Sequence, residues 1–287
     1  MGEKRIRRPM YAKEDMGRLV RWFFGYPLIF IIYLVLSLLL PRSTTGMRMT
    51  LGLNIISYAI LLMSAALVIS RFLKFPIRKM VNQNQSFCSR NLMTGFVSTF
   101  VLGAGTTFIW MAISPQNFSY TLGRHWPVDF LLAFVLVVLA ALLEEILCRS
   151  YIAYFVNDTM AETPKQKIIY CLVSAVIFTI FHFQNPEITG KQAIYAMMFY
   201  FVMGFALMAV TLRTKGIEAA LGIHIANNLV SAWLFTYDNS ALATNAVFTQ
   251  HDSIGPLVVL QSVFCVAVSV FIVIRFSPKE TQLKNGK

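Results

Sequence analysis

The sequence predicts an all-α polytopic membrane protein of eight transmembrane helices with both termini in the cytosol. Hydrophobic residues fill 57% of the 287 positions and charged ones 13%, and the apolar residues fall in blocks close to the roughly 20 needed to cross a hydrocarbon core. The connections between blocks are short, with no stretch long enough for a second, soluble domain and no repeat or low-complexity tail. With the N-terminus inside, all of the 25 lysines and arginines except Arg42, Arg48, Arg124 and Lys191 fall on the cytosolic side, as the positive-inside rule requires of an even number of spans.

The first span, Phe23–Leu40, follows a basic segment that begins MGEKRIRRPM. Basic flank and apolar run together resemble a signal peptide, but no A-x-A site follows and the run is long enough to span, so it is retained as a helix. Leu51–Ser70 is the second span, and the basic cluster Arg71–Arg90 holds its end inside. Gly95–Ile113 carries Trp110 near its outer end. The fourth, from Val128 to about Val156, contains the apolar run VDFLLAFVLVVLAALL and then EEILCRS. Ile168–Phe183 and Ala193–Leu212 follow, then Gly216–Phe235 and Pro256–Ile274, the last closed by basic residues from Arg275 onward. Trp22, Trp110, Trp126 and Trp233 all lie near span ends, the position of an aromatic belt. The domain reading is a basic cytosolic segment at 1–22, a transmembrane domain at 23–275 and a cytosolic tail at 276–287.

A net charge of +12 in such a chain sets topology and contacts anionic lipid headgroups; nucleic acid is not an expected partner. Cys88, Cys148, Cys171 and Cys265 are scattered singly with no CxxC pair, which argues against a disulfide framework and a thiolate metal site.

Strongly polar residues inside the spans are few, and each is a functional candidate because charge in a bilayer is expensive. Glu144, Glu145 and Arg149 lie in the fourth span. Glu145 and Arg149 are four apart on one helix face, in the favourable order for an ion pair. Glu144 is about 100° round the helix and is left to face a cavity; a purely structural ion-pair network of all three is the competing reading. The fifth span contributes Phe178 and His182, four apart, so that the ring packs beside the imidazole. The seventh contributes His224 and Asn228, again four apart, able to present an imidazole N–H and an amide to one point. Interhelical hydrogen bonding is the plainer role for such a pair. At 1.5 Å per residue, Glu144 sits roughly 18 Å, His182 roughly 22 Å and His224 roughly 13 Å from the cytosolic ends of three antiparallel helices. A carboxylate and two imidazoles thus share a depth.

The motifs EE-x-x-x-R (Glu144, Glu145, Arg149), F-x-x-x-H (Phe178, His182) and H-x-x-x-N (His224, Asn228), in that order, resemble those of the CAAX protease and bacteriocin-processing family of intramembrane proteases, also called Abi, which includes type II CAAX prenyl endopeptidases. The resemblance covers about Val128–Phe235, and GIEAALGIHIANNLV looks typical of bacterial members. One departure is Ser150, where members usually carry glycine.

The resemblance implies an eight-helix fold and a peptide hydrolase acting near the membrane on a membrane-associated or lipidated substrate. Within it Glu144 is the general base on a water, His182 helps hold that water, and His224 with Asn228 donates to the developing oxyanion. Phe178 shapes the pocket wall, and Glu145 with Arg149 supports the site. Glu144, His182 and His224 also match a three-ligand zinc site with one open position. HExxH is absent, and a metal-bound glutamate would be a poorer base; the reading therefore prefers direct activation of water by Glu144, with zinc or another divalent metal as the alternative. A catalytically silent scaffold or bacteriocin self-immunity protein on the same fold, and a proton-coupled transporter, are the competing functions; inverted repeats and Gly/Pro-broken matched halves, which would mark a transporter, are not seen. Short termini and the lack of a dilysine signal favour a bacterial cell membrane over endoplasmic reticulum.

Overall fold

A computed structural model describes residues 13–41, 46–155, 160, 163–190, 193–238, 240–242, 244–251 and 255–277. Residues 1–12 of the basic segment and 278–287 of the tail lie outside the described residues. The helices are α1 (Lys13–Ser37), α2 (Met47–Leu67), α3 (Ile77–Val81), α4 (Ser89–Ile113), α5 (Trp126–Glu145), α6 (Tyr151–Ala153), α7 (Pro164–Phe181), α8 (Ala193–Thr214), α9 (Glu218–Leu229) and α10 (Pro256–Phe276). Among the described residues, seven helical stretches are long and apolar enough to cross a membrane: Met16–Ser37, Met47–Phe72, Ser89–Ile113, Trp126–Ala153, Pro164–Phe181, Ala193–Thr214 and Pro256–Phe276. Their outer faces carry exposed Leu34, Val101, Ile109, Leu131, Ile180, Leu260 and Phe271, as lipid-facing helices should.

The expected seventh span is different. Helix α9 has 12 residues and continues as a five-residue π turn, Val230–Leu234. Together they reach roughly 25 Å at 1.5 Å per residue, short of a hydrocarbon core of about 30 Å. Every α9 residue from Glu218 to Ala226 is buried, so this helix is a central post surrounded by protein. Small residues allow it. A Cβ on Gly95 of α4 would sit 2.5 Å from the Ala219 carbonyl, and one on Gly222 of α9 would collide with the Leu92 carbonyl. The two backbones touch where glycine leaves room.

Two more π turns interrupt the expected spans, at Val68–Phe72 and at Ile146–Ser150. The fourth span is therefore not one continuous α-helix to Val156: α5 ends at Glu145, and the chain passes through the π turn into α6. Such single turns recur at functional sites because they redirect side chains without ending the helix. Ser150 is buried and donates to the Met80 carbonyl, so the serine in place of glycine has a partner.

Two sequence expectations need correction. Trp22 is not a belt residue facing headgroups: it is 2% exposed, edge-on to Phe75 and Tyr151, with its carbonyl accepting the Tyr151 hydroxyl at 2.6 Å. Arg149 is not a charge at the cytosolic surface, since it is fully buried. Local position along the chain suggested both roles; packing of α1 and the π turn against the bundle removed them.

The connections between helices also form a small sheet that the helical reading did not foresee. Strands β1 (Phe118–Tyr120), β2 (Phe235–Tyr237) and β3 (Phe248–Gln250) lie in the order β1-β3-β2, with β1 antiparallel and β2 parallel to β3. Phe235, Tyr237 and Gln250 from this sheet line the cavity below.

Candidate active site

A cavity of about 520 Å³ opens among the helices, lined by Tyr58 of α2, Thr99 of α4, Glu144 of α5, Phe178 of α7, Tyr200 of α8 and His224 of α9, with further residues from α1 and α10. The three motif segments meet here. Glu144 Oε2 lies 3.6 Å from His224 Nε2 and 3.9 Å from His182 Nε2. That oxygen is buried without a hydrogen-bond partner. Each imidazole is tied on its other nitrogen. His182 Nδ1 is 2.7 Å from the Phe178 carbonyl, an acceptor only, so Nδ1 carries the proton. His182 is the C-cap of α7 rather than a residue within it, and the ring satisfies a carbonyl the helix end leaves open.

His224 Nδ1 is 2.8 Å from Glu145 Oε1, and Glu145 Oε2 is 3.1 Å from Arg149 Nε. Glu145, Arg149 and His224 are 0%, 0% and 3% exposed. The carboxylate next to Glu144 thus bridges a guanidinium and an imidazole. Spacing gives the Arg149 half of this arrangement; the His224 half depends on how α9 docks against α5. Arg149 Cζ stands 4.4 Å over the Phe178 ring, a cation–π contact, and Phe178 also meets His182 at 4.4 Å and His224 at 5.8 Å between ring centres. Phe178 is the buried hub on which both imidazoles and the arginine rest.

Asn228 and Asn227 both line the cavity. Asn227 Nδ2 donates to Asn228 Oδ1 at 3.1 Å, which turns the amide nitrogen of Asn228 away from its neighbour. Asn227 is about 100° from Asn228 on the helix, yet through this bond it is a positioning residue for it.

Residues with no motif signal complete the wall. Tyr200 stacks on His182 with ring centres 4.1 Å apart, and its hydroxyl donates to Glu187 Oε1 at 2.9 Å. Tyr237 donates to the same oxygen at 2.9 Å. Burial pushes the Tyr237 hydroxyl well above its usual range, and the neighbouring Glu187 adds to this, so it remains a donor. The signals in the sequence are faint: a tyrosine in an apolar helix, and an acid after the Asn-Pro of the loop that follows α7.

Two imidazole nitrogens free to accept and one carboxylate are zinc-type donors, and the bonds from His182 Nδ1 to a carbonyl and His224 Nδ1 to a carboxylate are of the kind that orient metal-ligating histidines. Among the described residues, no group of three or more His, Cys, Asp or Glu side chains is arranged to hold a metal ion.

Residues 124–230 match the family model of the type II CAAX prenyl endopeptidase Rce1-like domain. YyaK of Bacillus subtilis (strain 168), an uncharacterized protein, is 28% identical over 176 residues, which cover 61% of this chain and 57% of that protein. The chain therefore matches little more than half the length of this relative. No solved structure matches.

Proposed function

With a domain of the type II CAAX prenyl endopeptidase Rce1-like family in residues 124–230 of a multi-pass membrane protein, we propose that the chain is an intramembrane endopeptidase whose Glu144 activates water. In this reading eight helices span a bacterial cell membrane, α9 being the seventh in chain order and shielded by its neighbours, both termini are cytosolic, and the substrate is a membrane-associated or lipidated peptide. The observation that carries the proposal is the convergence of Glu144 Oε2 on both Nε2 atoms in a cavity, with no hydrogen-bond partner for that oxygen.

A water between Glu144 and His182 gives one proton to Oε2 and offers the other to His182 Nε2, which has a free lone pair while Nδ1 donates to Phe178. The water oxygen attacks the scissile carbonyl carbon, and Glu144 later returns its proton to the leaving amine, so charge and atoms balance. The oxyanion takes hydrogen bonds from Asn228 Nδ2 and His224 Nε2. Because His224 Nδ1 already carries a proton toward Glu145, donation from Nε2 requires the imidazolium. Glu145 supports that cation, as a buried carboxylate orients and stabilises the imidazolium of a catalytic triad. Glu145 is thus a positioning residue as well as the partner of Arg149.

No step here passes through a metal. If water is activated directly by Glu144, purified protein should hydrolyse internally quenched peptides in liposomes after exhaustive chelation. Stoichiometric zinc, lost together with activity in His182→Ala, would overturn the direct mechanism and keep the peptidase. A scaffold or self-immunity protein would give no hydrolysis at all.

A further inference from the structure

Beyond Glu144, the cavity wall includes a second carboxylate, Glu187, in the loop after α7, and it is 7% exposed. Its hydrogen bonds are one-sided. Asn185 Nδ2 donates to the Tyr200 hydroxyl at 2.9 Å, which commits the single Tyr200 proton to Glu187. Tyr200 and Tyr237 both donate to Oε1, while Oε2 is buried with no partner. A structural brace needs only the first oxygen. A buried carboxylate oxygen left without a donor bears an uncompensated desolvation penalty and calls for a donor from elsewhere.

The cavity's charge points to that donor. Its described lining residues include Glu144, Glu187, His182 and His224 but no lysine or arginine, although the chain as a whole carries +12. Apart from the His224 imidazolium committed to the oxyanion, a free C-terminal carboxylate would find no cation among these residues to receive it. An ammonium or guanidinium group would meet the open side of Glu187, one tyrosine ring away from His182.

We infer that Glu187, braced by Tyr200 and Tyr237, is a recognition subsite for a cationic side chain or amine of the substrate, which selects a basic residue beside the scissile bond. This rests on the peptidase reading for its placement, but the subsite can be tested apart from it.

The test places Lys, norleucine or Glu in turn at each position of an otherwise uncharged, internally quenched peptide, with enzyme in liposomes. At one position Lys should exceed norleucine in kcat/KM by about tenfold or more, the worth of a charge-assisted hydrogen bond, with Glu lowest. The Lys-to-norleucine ratio should fall toward one in Glu187→Gln and persist in Tyr237→Phe, which keeps the carboxylate. Should Glu187→Gln fail to accumulate, the wild-type series decides alone. The same peptides, fluorescently labelled, are then titrated against Glu144→Gln protein and read by anisotropy. Cleavage without preference for Lys at any position overturns the subsite and leaves the peptidase standing. Absent cleavage, tighter binding of a Lys peptide that is lost when Glu187→Gln is added supports the subsite and overturns the peptidase; equal binding overturns both.

Discussion

Two of the three acids of helix α5, Asp129 and Glu144, lie about four turns apart and have opposite surroundings. At the N-terminal end of the helix Asp129 is saturated: Arg48 Nε reaches Oδ1 at 2.6 Å, and Asn245 Nδ2 reaches Oδ2 at 3.0 Å. At its C-terminal end Glu144 Oε2 faces two imidazole nitrogens and has no hydrogen-bond donor. The first arrangement fastens α2 and the loop before β3 to α5. The second stores a basic oxygen in a cavity where a water and a peptide can meet. Glu145, adjacent to Glu144, resembles Asp129 in having charged partners, a hydrogen bond from His224 to Oε1 and an ion pair of Oε2 with Arg149, yet His224 belongs to the chemistry.

Beyond Glu144 itself, the largest effect that sharpens this contrast on the chemical side is at Asn228. Asn228→Ala should lower kcat by about 10²–10³-fold with little change in KM, the loss of an oxyanion donor. Asn227→Ala should cost less, roughly 2–12-fold in kcat, since it removes one neutral hydrogen bond that orients Asn228. Equal losses at the two positions, read from the same progress curves, would mean a packing role for both.

On the structural side, Asp129→Asn should reduce resistance to thermal unfolding in detergent by about 1–3 kcal/mol, because it replaces an acceptor of two donors with an amide. Arg48 is half exposed and can turn to water, which keeps the loss at the lower end. Turnover at a permissive temperature should stay near wild type. A sharp fall in kcat with unchanged unfolding would place Asp129 with Glu144 instead.

The parts of this arrangement legible in the sequence were those set by spacing along one helix. Glu145 with Arg149, Phe178 with His182 and the shared depth of Glu144, His182 and His224 all follow from 3.6 residues per turn. What was not legible arises from contacts between elements. The Glu145–His224 bond needs α9 to dock on α5, and the stack of Tyr200 on His182 needs α8 beside the end of α7. The small sheet joins segments 118–120, 235–237 and 248–250, each three residues and too short to show a strand period. The central post α9 reads as a span because its residues are apolar, but its neighbours, not lipid, cover it.

Glu144→Gln and Glu145→Gln, assayed side by side in liposomes for peptide turnover and in detergent for thermal unfolding, test the central claim most directly. Glu144→Gln should remove turnover, with a loss of at least about 10²–10⁴-fold, and leave the unfolding temperature unchanged or raised. Glu145→Gln should lower the unfolding temperature, because Arg149 then lies buried without its counter-ion, and should reduce but not remove turnover by weakening the His224 imidazolium. The opposite pattern, stability lost at Glu144 and turnover alone lost at Glu145, would contradict the assignment of the free carboxylate as the base.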